Sequence, residues 1–418
     1  MPAGVNGQEP ADELSDLVDK ICAEFDSAQK HYVTEHKSTH WDIFSEEYRR
    51  RLGEPEVWEN FRNNGLTSGL DIGFQWRRDE APGPKPVSDP KLIADYLRRY
   101  ESLKAAIGRD FIRDHHEAVL GNPEFVAHDD LNINVTDLRH LHDAWRIHDV
   151  WSKLVKNRDP EPRPVIIDIG GGFGGLAAKL KRLFPKALII LFDLPEVNAM
   201  QTYFLHKSFP NADFACHSDI DKDGFAHFEE TKLDFIVLPA WMIDSMAAES
   251  VDIAINTRSM MEMTPPIVAQ YMASINRLVR RGGIFYCVNR YIRTHPEGSI
   301  RIKDYGFDAN WYFAVSQPAW DQPWLHEVAA VRTTVANAQP PLGQLNELPP
   351  YSWRDLGKRI RTALMIFRHL TWGGHHNVNP GARGSVFLGL RALEQRAVTA
   401  LKRHPSIHRL ARKIAGRS

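Results

Sequence analysis

Residues 165–195 read VIIDIGGGFGGLAAKLKRLFPKALIILFDLP, and the rest of the chain is organised around them. Val165, Ile166 and Ile167 form a short apolar run that closes on Asp168, the pattern of a strand buried on both faces. Glycines crowd positions 170, 171, 172, 174 and 175. A helical pattern follows, with Leu176, Leu180 and Leu183 on one side and Lys179, Lys181 and Arg182 on the other. Phe184-Pro185 stops it, and a second apolar run, residues 187–192, ends at Asp193. Strand, glycine turn, helix and strand, with an acid closing the second strand, suit a cofactor that carries a nucleoside. Glycine lets backbone N–H groups approach the ligand, and Asp193 can accept from both ribose hydroxyls.

The glycines alone leave two cofactor classes open. Gly170, Gly172 and Gly175 satisfy G-x-G-x-x-G, which points to a nicotinamide dinucleotide. Gly170, Gly172 and Gly174 equally satisfy G-x-G-x-G. Asp168 favours the second pattern. Two residues before the first glycine, its carboxylate repels a pyrophosphate but attracts a cation such as the amino group of S-adenosylmethionine (SAM). Asp168 as a simple cap on the turn is the plainer alternative.

Outward from this stretch, strand and helix alternate to about residue 290, the mark of a doubly wound parallel sheet. Pro195 opens a helix over 196–208. Residues 234–238 are preferred to 213–216 as the third strand, 251–255 form a fourth, and a helix over 266–278 leads through a turn at 280–283 into a fifth at 284–288. Runs at 311–315 and 326–332 supply an antiparallel edge. Upstream, helices are expected over 11–30, 90–107, 109–120 and 136–155, the last capped by Thr136. Residues 53–90, rich in Gly, Pro and Trp, read as loops. His140, His142 and His148 on the helix over 136–155 invite a metal, but no pair has the i, i+4 spacing, so no metal site is assigned.

Composition excludes several classes. The chain has 418 residues and a net charge of −1, so no global charge calls for nucleic acid. Cys22, Cys216 and Cys287 are scattered, which suits a reducing, cytoplasmic setting. Residues 391–418 hold eight Lys or Arg and one Glu, a basic amphipathic tail fit for peripheral contact with an anionic membrane or for packing on its own domain.

Five stretches in fixed order carry a family likeness: IDIGGGFGGLA (167–177), LFDLPEV (191–197), DFIVLPAW (234–241), VDIAINTRSMMEM (251–263) and RLVRRGGIFYCVNRY (277–291). Over residues 136–332 the sequence resembles the SAM-dependent sugar O-methyltransferases. The resemblance implies an α/β fold with a class I methyltransferase-like Rossmann sheet, mostly parallel with an antiparallel edge. An N-terminal helical region (1–160) precedes the SAM-binding domain (161–335), and a C-terminal helical extension with the basic tail (336–418) follows it. It implies that Asp168, Gly170, Gly172, Phe173 and Gly174 hold the methionine end of SAM. Asp193 takes the ribose, Leu194, Ala240 and Trp241 border the adenine, and Asn256 stands near the reacting centre. No acid occurs at 239–241 to bond the adenine amine, with Asp219 as the fallback.

The acceptor implied is a small molecule or glycan bearing a hydroxyl, whose proton a base must remove. Glu262 is the first candidate, between two methionines past the fourth strand. His295 and His326 follow, and no acid pair marks a divalent metal. The competing functions are a nicotinamide oxidoreductase and a non-catalytic scaffold on the same fold.

Overall fold

The computed structural model describes residues 11–31, 49–62, 85–116, 120–155, 163–220, 232–295, 298–322 and 325–333. The chain divides into two units, Met1–Tyr351 and Ser352–Ser418, and every described residue lies in the first. The C-terminal helical extension expected over 336–418, with its basic tail, falls outside the described residues.

The N-terminal part contains helices α1 (Ala11–Lys30), α2 (Pro55–Asn60), α3 (Pro90–Ile107), α4 (Arg109–His115) and α5 (Val135–Val155). Between them lies a small sheet that periodicity did not reveal: β1 (Lys85–Pro86), β2 (Glu124–His128) and β3 (Leu131–Ile133), in the order β1-β2-β3. Its strands are two to five residues long, too short for alternation to register. Helix α5 begins one residue before the expected cap. Asn134 is the capping side chain, its Oδ1 accepting from Thr136 N at 3.0 Å and Asp137 N at 3.2 Å.

The main sheet comprises β4 (Val165–Ile169), β5 (Leu188–Asp193), β6 (Phe214–Ala215), β7 (Phe235–Pro239), β8 (Val251–Thr257), β9 (Val279–Arg290), β12 (Trp311–Pro318) and β13 (Leu325–Arg332). A separate hairpin joins β10 (Ile292–His295) to β11 (Gly298–Arg301). Helices α6 (Gly175–Leu183), α7 (Pro195–Ser208) and α8 (Pro265–Leu278) complete the alternation. The order is β12-β13-β9-β8-β4-β5-β7-β6. The six strands from β9 to β6 are parallel, and β13 and β12 add the antiparallel edge. Both runs weighed for the third strand are present, with β7 beside β5 and β6 outside it. Strand β9 does not wait for a turn at 280–283. It runs through them from Val279, with Gly282 at φ +78° and a register shift against β8.

Alternation along the strands divides two apolar layers. Ile166, Ile189, Leu191, Val237 and Ile255 face one side, where they pack with Ile21, Trp58, Ile147, Trp151 and Leu176. Ile167, Ile190, Leu238 and Phe285 face the other, against Tyr271, Ile275 and Trp311. Residues upstream of 161 therefore share a core with the parallel sheet. Trp311 and Phe313, from the antiparallel edge, are buried in this second layer. No described helix is long and apolar enough to cross a membrane.

Candidate active site

The C-terminal ends of β4, β5, β7 and β8 converge on the glycine turn, the place where open α/β sheets bind ligands. Gly170, Gly172 and Gly174 have φ of +70°, +59° and +91°, a region that side chains rarely enter. Space is also short: a Cβ on Gly170 would lie 2.2 Å from Ser259 Oγ, and one on Gly171 would lie 2.5 Å from Asp168 Oδ2. Asp168 is fully buried, and neither of its carboxylate oxygens has a hydrogen-bond partner. Burial, and then the nearby Asp143 carboxylate, push its pKa up to about 7. A buried carboxylate left without donors is costly, and a cationic amine lying on the turn would relieve the cost. The residues thus fit the ammonium end of SAM.

Asp193, at the mouth of β5, carries the second acid. Its Oδ1 accepts from Leu194 N at 2.8 Å, and its Oδ2 accepts from Gly172 N at 3.2 Å and Gln201 Nε2 at 3.1 Å. Low-dielectric surroundings raise its pKa to about 8, with Asp168 adding to the effect. Pro239 pairs with Asp193 across β5 and β7, which brings the following turn, Ala240–Ser245, to the same mouth. Ala240 is buried there and Trp241 half-buried. Leu194 is buried yet belongs to neither apolar layer.

Two residues expected to touch the cofactor serve the frame. Phe173 turns its ring into the core against Phe61, Phe204 and His140, because an aromatic ring gains more from burial than from a polar turn. Asn256 is fully buried and its amide is saturated. Nδ2 donates to Ile169 O at 2.9 Å and Ser259 Oγ at 2.6 Å, while Oδ1 accepts from Met260 N at 3.1 Å and Asn289 Nδ2 at 3.0 Å. It ties β4, β8 and β9 together beneath the site.

The three candidate bases differ in placement. Glu262 is buried on the short turn Met260–Glu262 after β8 and pairs with Arg293 of β10. His295 ends β10, its backbone paired with Gly298. His326 is enclosed in β13, with Nε2 2.9 Å from Ser316 Oγ and Nδ1 3.0 Å from Tyr291 OH. Burial lowers its pKa to about 4, and both ring nitrogens are engaged, so the structure removes His326 from contact with an acceptor.

Sequence reading missed a buried ionic belt above the strand ends. Arg258, just past β8 at φ +65°, donates from Nη1 to Asp143 Oδ2 at 2.8 Å. Tyr286 OH donates to Asp143 Oδ1 at 2.9 Å, and Asp321 Oδ2 accepts from Arg139 at 2.7 Å and Arg99 at 2.9 Å. Burial alone would raise the Asp143 pKa, but Arg258 and His142 hold its carboxyl well below the usual range. These partners lie up to 222 residues apart, so no local pattern marks them.

The histidines of α5 are dispersed rather than convergent. His140 lies over the glycine turn, its Nδ1 2.6 Å from where a Cβ on Gly175 would stand, and burial pushes its pKa down to about 3. His142 approaches Asp143, and His148 tilts against Phe184. Among the described residues no group of three or more His, Cys, Asp or Glu is arranged to hold a metal.

Comparison with known proteins adds a class. A family model described as an O-methyltransferase domain matches residues 100–220, from within α3 to the segment after β6. No curated protein matches the chain. Solved structures similar to it include the mitomycin 7-O-methyltransferase MmcR, at 14% identity over 59% of this chain and 69% of that one, with a TM-score of 0.29. The pyocyanin biosynthetic protein PhzM is 12% identical over 58% and 70%, with a TM-score of 0.30. Geranyl diphosphate C-methyltransferase from Streptomyces coelicolor A3(2) is 13% identical over 48% and 82%, also at 0.30.

The sheet order, the glycine turn and the family match define a SAM-dependent methyltransferase, with SAM as its cofactor. The reaction class is O-methylation. The nicotinamide alternative places a pyrophosphate against the Asp168 carboxylate and is set aside.

Proposed function

We propose that the enzyme methylates a hydroxyl of a sugar or of a glycosylated small molecule, in the cytoplasm. The observation that carries the reading is the ionic belt of Arg258, Asp143, Asp321 and Tyr286 beside Asp168. A wall of buried charged and hydroxyl groups suits an acceptor with many hydroxyls better than an apolar one. The half-buried Trp320, whose ring stands 5.5 Å from that of His142, adds an aromatic face for the C–H side of a sugar ring. The resemblance over 136–332 supports the same acceptor class, and three free cysteines suit the compartment.

When bound, SAM supplies a methyl group on a sulfonium, open to in-line attack. Asp168 holds its ammonium and Asp193 its ribose, with the backbone of Gly170, Gly172 and Gly174 against the ligand and Leu194, Ala240 and Trp241 around the base. Glu262 accepts the proton of the acceptor hydroxyl, and Arg293 orients its carboxylate. His295, which ends the strand that carries Arg293, is the alternate acceptor of the proton. Methyl transfer from labelled SAM to a panel of glycosides, free sugars and phenols tests the reading. Label is expected on a sugar hydroxyl, and label confined to phenols would overturn it.

A further inference from the structure

The turn after β7 offers no acid at 239–241 to bond the adenine amine. The fallback, Asp219, is exposed, and its Oδ2 accepts from Cys216 N at 2.8 Å. Another acceptor stands one helical turn beyond the ribose acid. Asn198 is 8% exposed, and its Oδ1 is buried without a hydrogen-bond partner.

The orientation of that amide follows from a chain of partners. Asp193, when ionised, can only accept, so Gln201 must turn its NH2 toward Oδ2, at 3.1 Å. Gln201 Oε1 therefore faces Asn198 and accepts from its Nδ2 at 2.9 Å. That leaves the carbonyl of Asn198 pointing elsewhere, as an unsatisfied buried acceptor. Asn198 N also donates to Leu194 O at 2.9 Å, so it sits one turn above the residue expected to border the base.

The space beside it is real. A cleft of about 830 Å³ between α1 and α7 is lined by Asn198, Pro195, Ala199 and Thr202 and reaches Pro239. Pro195 opens α7 two residues after Asp193, and Pro239 ends β7 in register with Asp193, so the cleft reaches the residues next to the ribose acid. Glu196, a buried carboxylate in the same turn whose oxygens also lack a hydrogen-bond partner, does not line the cleft.

We propose that Asn198 reads the adenine of the cofactor, its side-chain carbonyl accepting from the 6-amino group, with Gln201 coupling this contact to the ribose acid Asp193. The proposal rests on the SAM site assigned above. It replaces recognition by an acid after β7 with recognition by an amide on α7.

Isothermal titration with S-adenosyl-L-homocysteine and S-inosyl-L-homocysteine tests it, because the inosyl analogue exchanges the amine for an oxo group. The wild type is expected to prefer the adenosyl ligand by about 30-fold or more, since a buried acceptor is left opposing an oxygen. Asn198→Ala should bring the two affinities within about threefold, mainly by weakening the adenosyl ligand. Asn198→Asp keeps an acceptor but loses the Nδ2 donor to Gln201 Oε1, so it should weaken both ligands while retaining the preference for the adenosyl one. A structural defect would weaken both ligands alike and leave their ratio unchanged. An unchanged ratio in Asn198→Ala overturns the proposal, as does a ratio lost in Glu196→Gln and kept in Asn198→Ala. A wild type that binds neither ligand overturns the SAM site itself, a distinct outcome.

Discussion

Arg258 Nη1 donates to Asp143 Oδ2 at 2.8 Å, across 115 residues of sequence, and both side chains are buried. The pair fastens α5 to the end of β8, directly above Asp168. Arg258 holds this position in a left-handed backbone conformation, with its own N–H donated to Val288 O at 2.7 Å. A bulky residue there is strained, and the paired charges and the β9 bond keep it in place.

Removing the cation should therefore cost more than a surface ion pair does. Arg258→Met leaves buried Asp143 without its guanidinium partner, with only His142 and the Tyr286 hydroxyl beside it, and a loss of about 3–5 kcal/mol is expected in urea unfolding at pH 7. Because its folded pKa is depressed, Asp143 contributes stability above its unfolded pKa and loses it as pH falls. The gap between wild type and variant should narrow on acidification. A gap that stays constant to pH 3 would show that Asp143 is not the group affected.

SAM affinity should depend on pH through Asp168. Its pKa of about 7 means that the carboxylate must ionise to receive the ammonium. Between pH 7.5 and 5.5 affinity should fall roughly 20-fold, with Asp193, at about 8, adding to the slope. Asp168→Asn should bind weakly and lose most of the dependence. The same raised values mean that the ligand-free protein is most stable at low pH through these two groups and loses that stability as pH rises through 7 to 8. The thermal shift given by SAM should then be larger at pH 7.5 than at pH 5.5.

The turn and α5 are coupled through Gly175 and His140. Gly175→Ala places a Cβ 2.6 Å from His140 Nδ1 and 2.6 Å from Phe173 Cζ, and should cost about 1–3 kcal/mol in thermal unfolding. Adding His140→Ala should restore part of the loss, giving a coupling energy above about 0.5 kcal/mol. Strict additivity would mean that the ring moves aside without cost.

Glu262 should act on the reaction and not on cofactor binding. Glu262→Gln keeps the shape but accepts no proton at neutral pH. Turnover on the acceptor found in the panel should fall about 10²–10⁴-fold, with SAM affinity within a few-fold. A variant with near-full turnover would pass the role to His295, to be checked with His295→Ala.

The stretch 165–195 by itself pointed to the fold and to the proposed cofactor end of the site, because each signal there is local. The continuous apolar runs of β4 and β5 bury both faces, glycines at 170, 172 and 174 permit positive φ, and Asp168 and Asp193 stand at the strand ends. Local chemistry was not enough where a side chain had two possible partners. Only the tertiary structure showed that Phe173 belongs to the core, that Asn256 is spent on the frame, and that His326 is sealed between Ser316 and Tyr291. It alone assembled Arg99, Arg139, Asp143, Arg258 and Asp321 from four distant segments, since a buried charge is placed by its partner and not by its neighbours in sequence. The free carbonyl of Asn198 belongs with these, for its direction is set by Gln201 and Asp193 together.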